Sequence, residues 1–266
     1  MVDRSIFEKR VTGWLSSTGD ALVSVFFPAG CRLCERVLLR ASTVPICEDC
    51  LGSFLALGAA GCEKCGQPLA TWSWAARSRR LRLAAYFVQS AKRVLIALTA
   101  CAVMRSIKGA VVRAIMLLKF ERVEPLGRWF GERLLEVAAR GEGISADIVV
   151  PVPLHRQRQH ERGYNQAELV AKPLVRKLGL PYRAVLLTRT KPRPDKHILR
   201  FEERWESVRG AFATRPGSKV DNLRVLLVDD VMTTGATLDA CAKALRGAGA
   251  KSVVGLTVAR AARHPR

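Results

Sequence analysis

The chain lacks an apolar run long enough to cross a bilayer. Val94 to Met104 holds only 11 residues and is bounded by Lys92-Arg93 and Arg105, about half the length a spanning helix needs, so no transmembrane segment is expected. No signal peptide is evident. Cysteine is scarce outside one stretch: Cys31, Cys34, Cys47, Cys50, Cys62 and Cys65 fall within 35 residues, leaving only Cys101 and Cys241. Without a leader, that clustering favours metal ligation, with disulfides as the competing reading. Acid is also in short supply, since 23 Asp+Glu face 44 Lys+Arg, giving a formal charge of +21 and a pI near 10.5. The imbalance points to a polyanion close by, a nucleic-acid backbone in particular. A GC-rich genome, which inflates Arg content, would raise the count with no partner at all.

What is present is concentrated in a few segments. Val225 to Val228 is a continuous apolar run, as expected of a strand covered on both faces of a parallel sheet. It ends in Asp229 and Asp230, adjacent carboxylates that are costly at such a place unless they bind something polar; a ribose diol with Mg²⁺ nearby is the expectation. After Val231, residues Thr233, Thr234, Gly235, Ala236 and Thr237 are small or hydroxyl-bearing, so backbone N–H groups can approach an anion closely. Leu238, Cys241, Ala242 and Leu245 follow at helical spacing, which sets the loop at a helix N-terminus, where a phosphate is favoured. An ordinary strand-to-helix turn capped by Asp is the competing reading. A second strand, Ile148 to Val150, stops at Pro151 and Pro153. Its loop supplies His155, Arg156, Arg158, His160 and Arg162, a set suited to pyrophosphate, and leads through Gly163, Tyr164 and Asn165 into a helix predicted over Gln166 to Leu178.

Cys31-Arg-Leu-Cys34 and Cys47-Glu-Asp-Cys50 are two C-x-x-C knuckles separated by 12 residues. Four thiolates in such hairpins can surround one tetrahedral Zn²⁺. The third knuckle, Cys62-Glu-Lys-Cys65, is a further pair of candidate ligands without a partner knuckle.

The carboxylate and small-residue segment resembles the 5-phosphoribosyl-1-pyrophosphate (PRPP) motif of type I phosphoribosyltransferases. Taken with the His155 to Gln166 segment and the cysteine-rich start, the chain looks like the ComF family, competence-associated proteins that carry a zinc module ahead of a phosphoribosyltransferase-like domain. The likeness covers about residues 26 to 70 and 109 to 262. It implies an α/β, Rossmann-like parallel sheet flanked by helices, behind a small zinc-ribbon-like module. By that resemblance Asp229 and Asp230 are catalytic and face the ribose hydroxyls, residues 231 and 233–237 hold the 5-phosphate, and His155, Arg158 and Arg162 hold pyrophosphate with Mg²⁺. It also implies a cytoplasmic role in DNA uptake, with PRPP, single-stranded DNA and competence proteins as partners. A non-enzymatic, zinc-dependent single-strand binder or scaffold is the alternative.

The family pattern breaks in places. Lys196 and Ser207 stand where Gln and Asn are usual, although Leu199, Glu203, Arg204 and Gly210-Ala211-Phe212 fit. No nucleobase hood is evident beyond the strand predicted from Ser252. The partner of the third knuckle is missing from residues 71–108, which read as a divergent linker. A one-nucleotide displacement of the reading frame would let the codons of Phe87 to Ala91 encode Cys-x-x-Cys, and true divergence with loss of one metal site is the alternative. Domains are therefore expected at 1–27, an amphipathic helix docking on the main domain or lying on a membrane surface; 28–70, the cysteine module; 71–108, the linker; and 109–266, the transferase-like domain. Thr188 to His197 is expected to be a mobile flap, Ala184 to Thr188 a strand of the parallel sheet, and Lys119 a solvated helix lysine, with a phosphate-facing lysine as the alternative.

Overall fold

The computed structural model describes residues 29–38, 42–54, 97–98, 100–106, 109–139, 144–192 and 201–261. The N-terminal helix, the third knuckle with Cys62 and Cys65, the segment carrying the frame question and the flap residues from 193 lie outside these. Two compact units are present, Met1–Ala56 and Leu57–Arg266.

In the larger unit, β1 (Ala100–Ser106), β2 (Ile148–Pro151), β5 (Arg224–Met232) and β6 (Ser252–Arg260) form one sheet in the order β1-β6-β5-β2, and every pair is parallel. Helices α2 (Ala110–Phe120), α3 (Pro125–Ala138), α4 (Arg156–Arg162), α5 (Gln166–Leu178), α6 (Phe201–Glu206) and α7 (Ala236–Gly247) accompany it; α1 (Glu48–Gly52) belongs to the small unit. Val225 and Leu227 point to the α7 side, where they join Leu238, Cys241, Ala242 and Leu245 in one buried cluster. On the opposite face α3 and α5 supply Leu126, Phe130, Leu134, Val170 and Leu174, each fully buried. Burial on both faces explains why β5 reads as unbroken apolar sequence.

Two readings need correction. β3 (Leu187–Arg189) is not part of the parallel sheet; it pairs antiparallel with β4 (Phe212–Thr214), Thr188 opposite Ala213. Thr188 and Arg189 are therefore regular strand at the base of the expected flap. Conversely, the run taken for the end of a linker forms β1 at the edge of the main sheet, Ala102 opposite Leu256. No helix among the described residues is long and apolar enough to cross a membrane.

At the amino ends of the strands Asp147 locks β2 to β5. Its carboxylate accepts from the Arg224 backbone N–H at 2.7 Å and lies 2.5 Å from the Arg224 Nη2. The hydrogen bonds and charge of Arg224 hold its carboxyl at about 2, below the ordinary 3.8. A depressed folded-state value contributes stability above the unfolded value that is lost as pH falls through the folded one. The melting temperature of the native chain should thus exceed that of Asp147→Asn at pH 7, and the gap should close between pH 4 and pH 2. A gap independent of pH would contradict this role.

Candidate anion-binding cleft and thiol cluster

Neighbouring residues of a strand project to opposite faces, and this separates the two carboxylates at the end of β5. Asp229 turns to the α7 side, where its charge raises the thiol pKa of Cys241, after burial as the main cause. Its Oδ1 accepts the Asp230 N–H at 2.8 Å. Asp230 turns to the α2 side, and its side chain is only 5% exposed. Burial of that kind demands a cation. The cation is Lys119, from the last turn of α2, whose Nζ lies 2.8 Å from Asp230 Oδ2 with its side chain 21% exposed. The same oxygen has no aligned hydrogen bond, so the contact is an ion pair held by distance. Lys119 is consequently not the solvated lysine that helical periodicity indicates.

Beyond β5, Gly235 adopts φ 87 as the residue preceding α7, a left-handed conformation that glycine reaches without strain. Thr234 Oγ1 accepts the Ala236 N–H at 3.2 Å. In the first turn Asp239 is fully buried; its Oδ1 accepts from Ala97 and Leu98 N–H at 2.9 and 3.3 Å, and Lys243 stands 3.0 Å from Oδ2. Sequence reading passed over Asp239, although an acid in a first helical turn followed by lysine four residues on is a usable signal.

The His155 to Gln166 motif is explained residue by residue. Gly163 closes α4 at φ 85. The Tyr164 hydroxyl donates to the Leu118 carbonyl, tying the loop to α2. Asn165 caps α5 by accepting the Ala167 N–H at 3.0 Å, while its Nδ2 donates to the Val152 carbonyl at 3.0 Å. Gln166, 6% exposed, accepts from Arg162 Nη1 at 2.6 Å. Arg162 also lies over the Phe120 ring at 5.1 Å. Burial lowers its pKa from the ordinary arginine value, opposed by the Asp230 charge, and it stays protonated.

These side chains meet in a cleft of 260 Å³ lined by Lys119, His155, Arg158, Arg162, Gln166 and Arg189, among others. All three sequence-predicted pyrophosphate residues are there. Lys119 and Arg189 are additions; Arg189 comes from β3, with its guanidinium 5.2 Å from the Phe212 ring. Residues 233–237 do not line this cleft but follow directly on the strand that carries Asp230. The chemistry on offer is a set of cations, one of them paired with the buried Asp230 carboxylate, which suits a polyanion that also presents hydroxyls.

In the small unit, one ligand atom from each of Cys31, Cys34, Cys47 and Cys50 lies within 4.8 Å of all the others. Cys34 and Cys47 Sγ are 3.6 Å apart. A tetrahedral Zn²⁺ with Zn–S of about 2.3 Å places its sulfurs about 3.8 Å apart, so the cluster fits that ion. The Leu33 and Cys47 N–H groups point at Cys31 Sγ, at 3.5 and 3.3 Å. Burial alone would raise the Cys31 thiol, yet N–H donors from Cys47, Cys34 and Leu33 bring it down to about 6 from 9.0, which readies it as a thiolate ligand. Burial and the neighbouring sulfurs raise Cys50.

Comparison with known proteins agrees with this geometry. Residues 165–266 match the phosphoribosyl transferase domain family, and residues 22–79 match the double zinc ribbon domain. Competence protein F of Haemophilus influenzae is 36% identical over 116 residues, 43% of this chain and 51% of that one. The chain is thus similar to a ComF-type competence protein over part of its length. DNA utilization protein YhgH of Escherichia coli is 35% identical over 140 residues, 51% of this chain and 61% of that one, and competence protein ComFC of Bacillus subtilis is 36% identical over 114 residues, 42% and 44%. The chain thus spans about half the length of the ComF relatives it matches. A glutamine PRPP amidotransferase from B. subtilis aligns with 54% of this chain and 30% of its own, at 23% identity and a TM-score of 0.38. Residues 165–266 thus carry a phosphoribosyl transferase domain, preceded in the chain by a double zinc ribbon match whose cysteine cluster supports structural Zn²⁺.

Proposed function

We propose that this protein binds PRPP with Mg²⁺ at the carboxyl end of β5, acting in the cytoplasm in the handling of DNA. The observation that carries the reading is the cleft itself, where Lys119, Arg158, Arg162 and Arg189 gather and Lys119 reaches back to the buried Asp230. In this reading Asp229 and Asp230 take the ribose hydroxyls, residue 231 and the 233–237 loop hold the 5-phosphate, and His155, Arg158 and Arg162 hold the pyrophosphate. On the cleft side the buried Asp230 carboxylate offers the oxygen donor that could hold Mg²⁺, and when bound the ion would supply charge neutralisation to the pyrophosphate. For transfer to an acceptor, the carboxylates offset positive charge developing on the ribose while Arg158 and Arg162 stabilise the departing pyrophosphate. The domain division follows: cysteine module over 28–70 and transferase-like domain from 109, extended by β1 to Ala100. Cys62 and Cys65 remain candidate ligands.

The relatives named for DNA utilization favour a second reading, a single-strand binder with a zinc module. Phe120 is 60% exposed beneath the Arg162 guanidinium, and stacking surfaces bordered by cations suit unpaired bases. Thermal unfolding separates the two. PRPP with Mg²⁺ at a hundred times its dissociation constant should stabilise the protein by about 2.7 kcal/mol and raise the melting temperature by about 5 °C or more. No shift with PRPP, together with a clear shift on adding a single-stranded oligonucleotide, would leave the second reading in its place.

A further inference from the structure

We propose that a cavity on the α7 side of the sheet, apart from the anion cleft, binds a nucleotide, with a planar base held between α7 and two aromatic side chains and its phosphate on Arg209. The inference does not depend on what the cleft binds.

The cavity measures about 390 Å³, within the range of small-molecule sites. Ala236, Ala240 and Ala244, spaced four residues apart on α7, line it with methyl groups, and the elements packed against α7 bring Trp205 from α6 and Phe212 from β4. A slot with methyl groups on one side and aromatic rings on the other takes a flat ring, and stacking of a base on an aromatic side chain contributes about 1–3 kcal/mol. This cavity and the cleft share no lining residue.

The charged residues of the lining carry one sign, for Arg209 and Lys243 are present and no acid is. Lys243 is already engaged, 3.0 Å from the buried Asp239 carboxylate and 6.0 Å from the centre of the Trp205 ring. Arg209 is exposed and enters none of the ion pairs of the described residues. Lys191 stands beside it, donating from Nζ to the Arg209 carbonyl at 3.0 Å. Next to both, Gly210 turns at φ 61, and a side chain there would meet only Lys191 Nζ, at 3.7 Å, so the rim is open beside the two cations. An anion attached to a ring in the slot complements this distribution. An apolar protein segment would leave the cations unanswered, whereas a nucleotide uses both features.

The test is calorimetry with adenosine 5′-monophosphate (AMP) in magnesium-free buffer, on the full chain with its zinc. Saturable binding is expected. Ala240→Leu fills the slot with a residue that suits a helix and should weaken binding about tenfold or more, the size of a lost stacking contact. Circular dichroism checks that variant, and Ala244→Leu replaces it should it fail to fold. Arg209→Gln should weaken AMP about tenfold and adenosine less than about twofold, a split that a merely structural arginine would not give. Excess pyrophosphate should leave AMP affinity within about twofold of its value alone. Native affinity in the filled variant, equal loss of AMP and adenosine with Arg209→Gln, displacement of AMP by pyrophosphate, or no heat at all would each overturn the proposal. A short oligo(dA) that binds more tightly than AMP and is weakened by Ala240→Leu identifies a single strand as the source of the nucleotide; otherwise the free nucleotide is the ligand. Failure of PRPP to bind overturns the PRPP reading and leaves this site standing.

Discussion

Substituting Cys31→Ser should remove one equivalent of zinc and unfold the segment over residues 29–54, and strong chelation of the native protein should do the same. The described core of that segment is small: Leu33, Leu38, Val44, Ile46 and Phe54 are its buried side chains besides Cys31. A few apolar residues form too small a core to hold so short a segment ordered, so metal binding has to supply the difference. Structural Zn²⁺ binds with an apparent free energy of about 10 kcal/mol or more. Cys31 is the ligand to change because it is the most buried of the four and accepts two backbone N–H groups. Elemental analysis measures the zinc, and hydrogen exchange over residues 29–54 measures the unfolding. A metal-free protein with unchanged protection there would show that the thiols are not a structural metal site.

Gly131→Ala should lower stability by about 3 kcal/mol and weaken ligand binding with it. Gly131 lies on α3 where it crosses α5, and an added methyl would press on the Val170 carbonyl oxygen and meet Pro173 Cγ at 2.9 Å. Gly127, one turn earlier, is as tight, with Leu169 Cβ at 2.5 Å. Neither obstacle is the free end of a flexible side chain, so the helices must move apart. Helix α5 begins at the Asn165 cap that ties it to Val152, and a displaced α5 would carry Gln166, and with it Arg162, out of register with the cleft. Chemical denaturation with PRPP titration at a temperature where the variant is folded checks both effects. Wild-type stability would mean that α3 and α5 sit further apart than described.

How much of this was legible in the sequence depends on whether the signal is local. The β5 strand, its acidic end, the glycine that must take a positive φ and the α7 apolar spacing are contiguous in the chain. Helix α5 matches its predicted bounds, Gln166 to Leu178, because its cap and its closing Gly179 are both written in the sequence. The four-thiol cluster followed from knuckle spacing alone. What stayed hidden is set by partners far along the chain. β1 carries no alternation of its own and is recognisable as a strand only through β6, about 150 residues later. β3 announced itself as a strand, but nothing in Leu187 to Arg189 says whether its neighbour is the main sheet or Phe212–Thr214. Lys119 sits on a polar position of a helix, and its true partner, Asp230, lies 111 residues downstream.

The central claim is that this protein holds PRPP through the carboxylates at the end of β5, and a calorimetric titration with PRPP tests it most directly. It is run with and without Mg²⁺ on zinc-loaded native protein and on Asp230→Asn. Saturable, Mg²⁺-dependent binding by the native protein, weakened about tenfold or more by the substitution, is the expected result. Folded, zinc-loaded protein that releases no heat with PRPP, or binds it equally well after Asp230→Asn, would contradict the account.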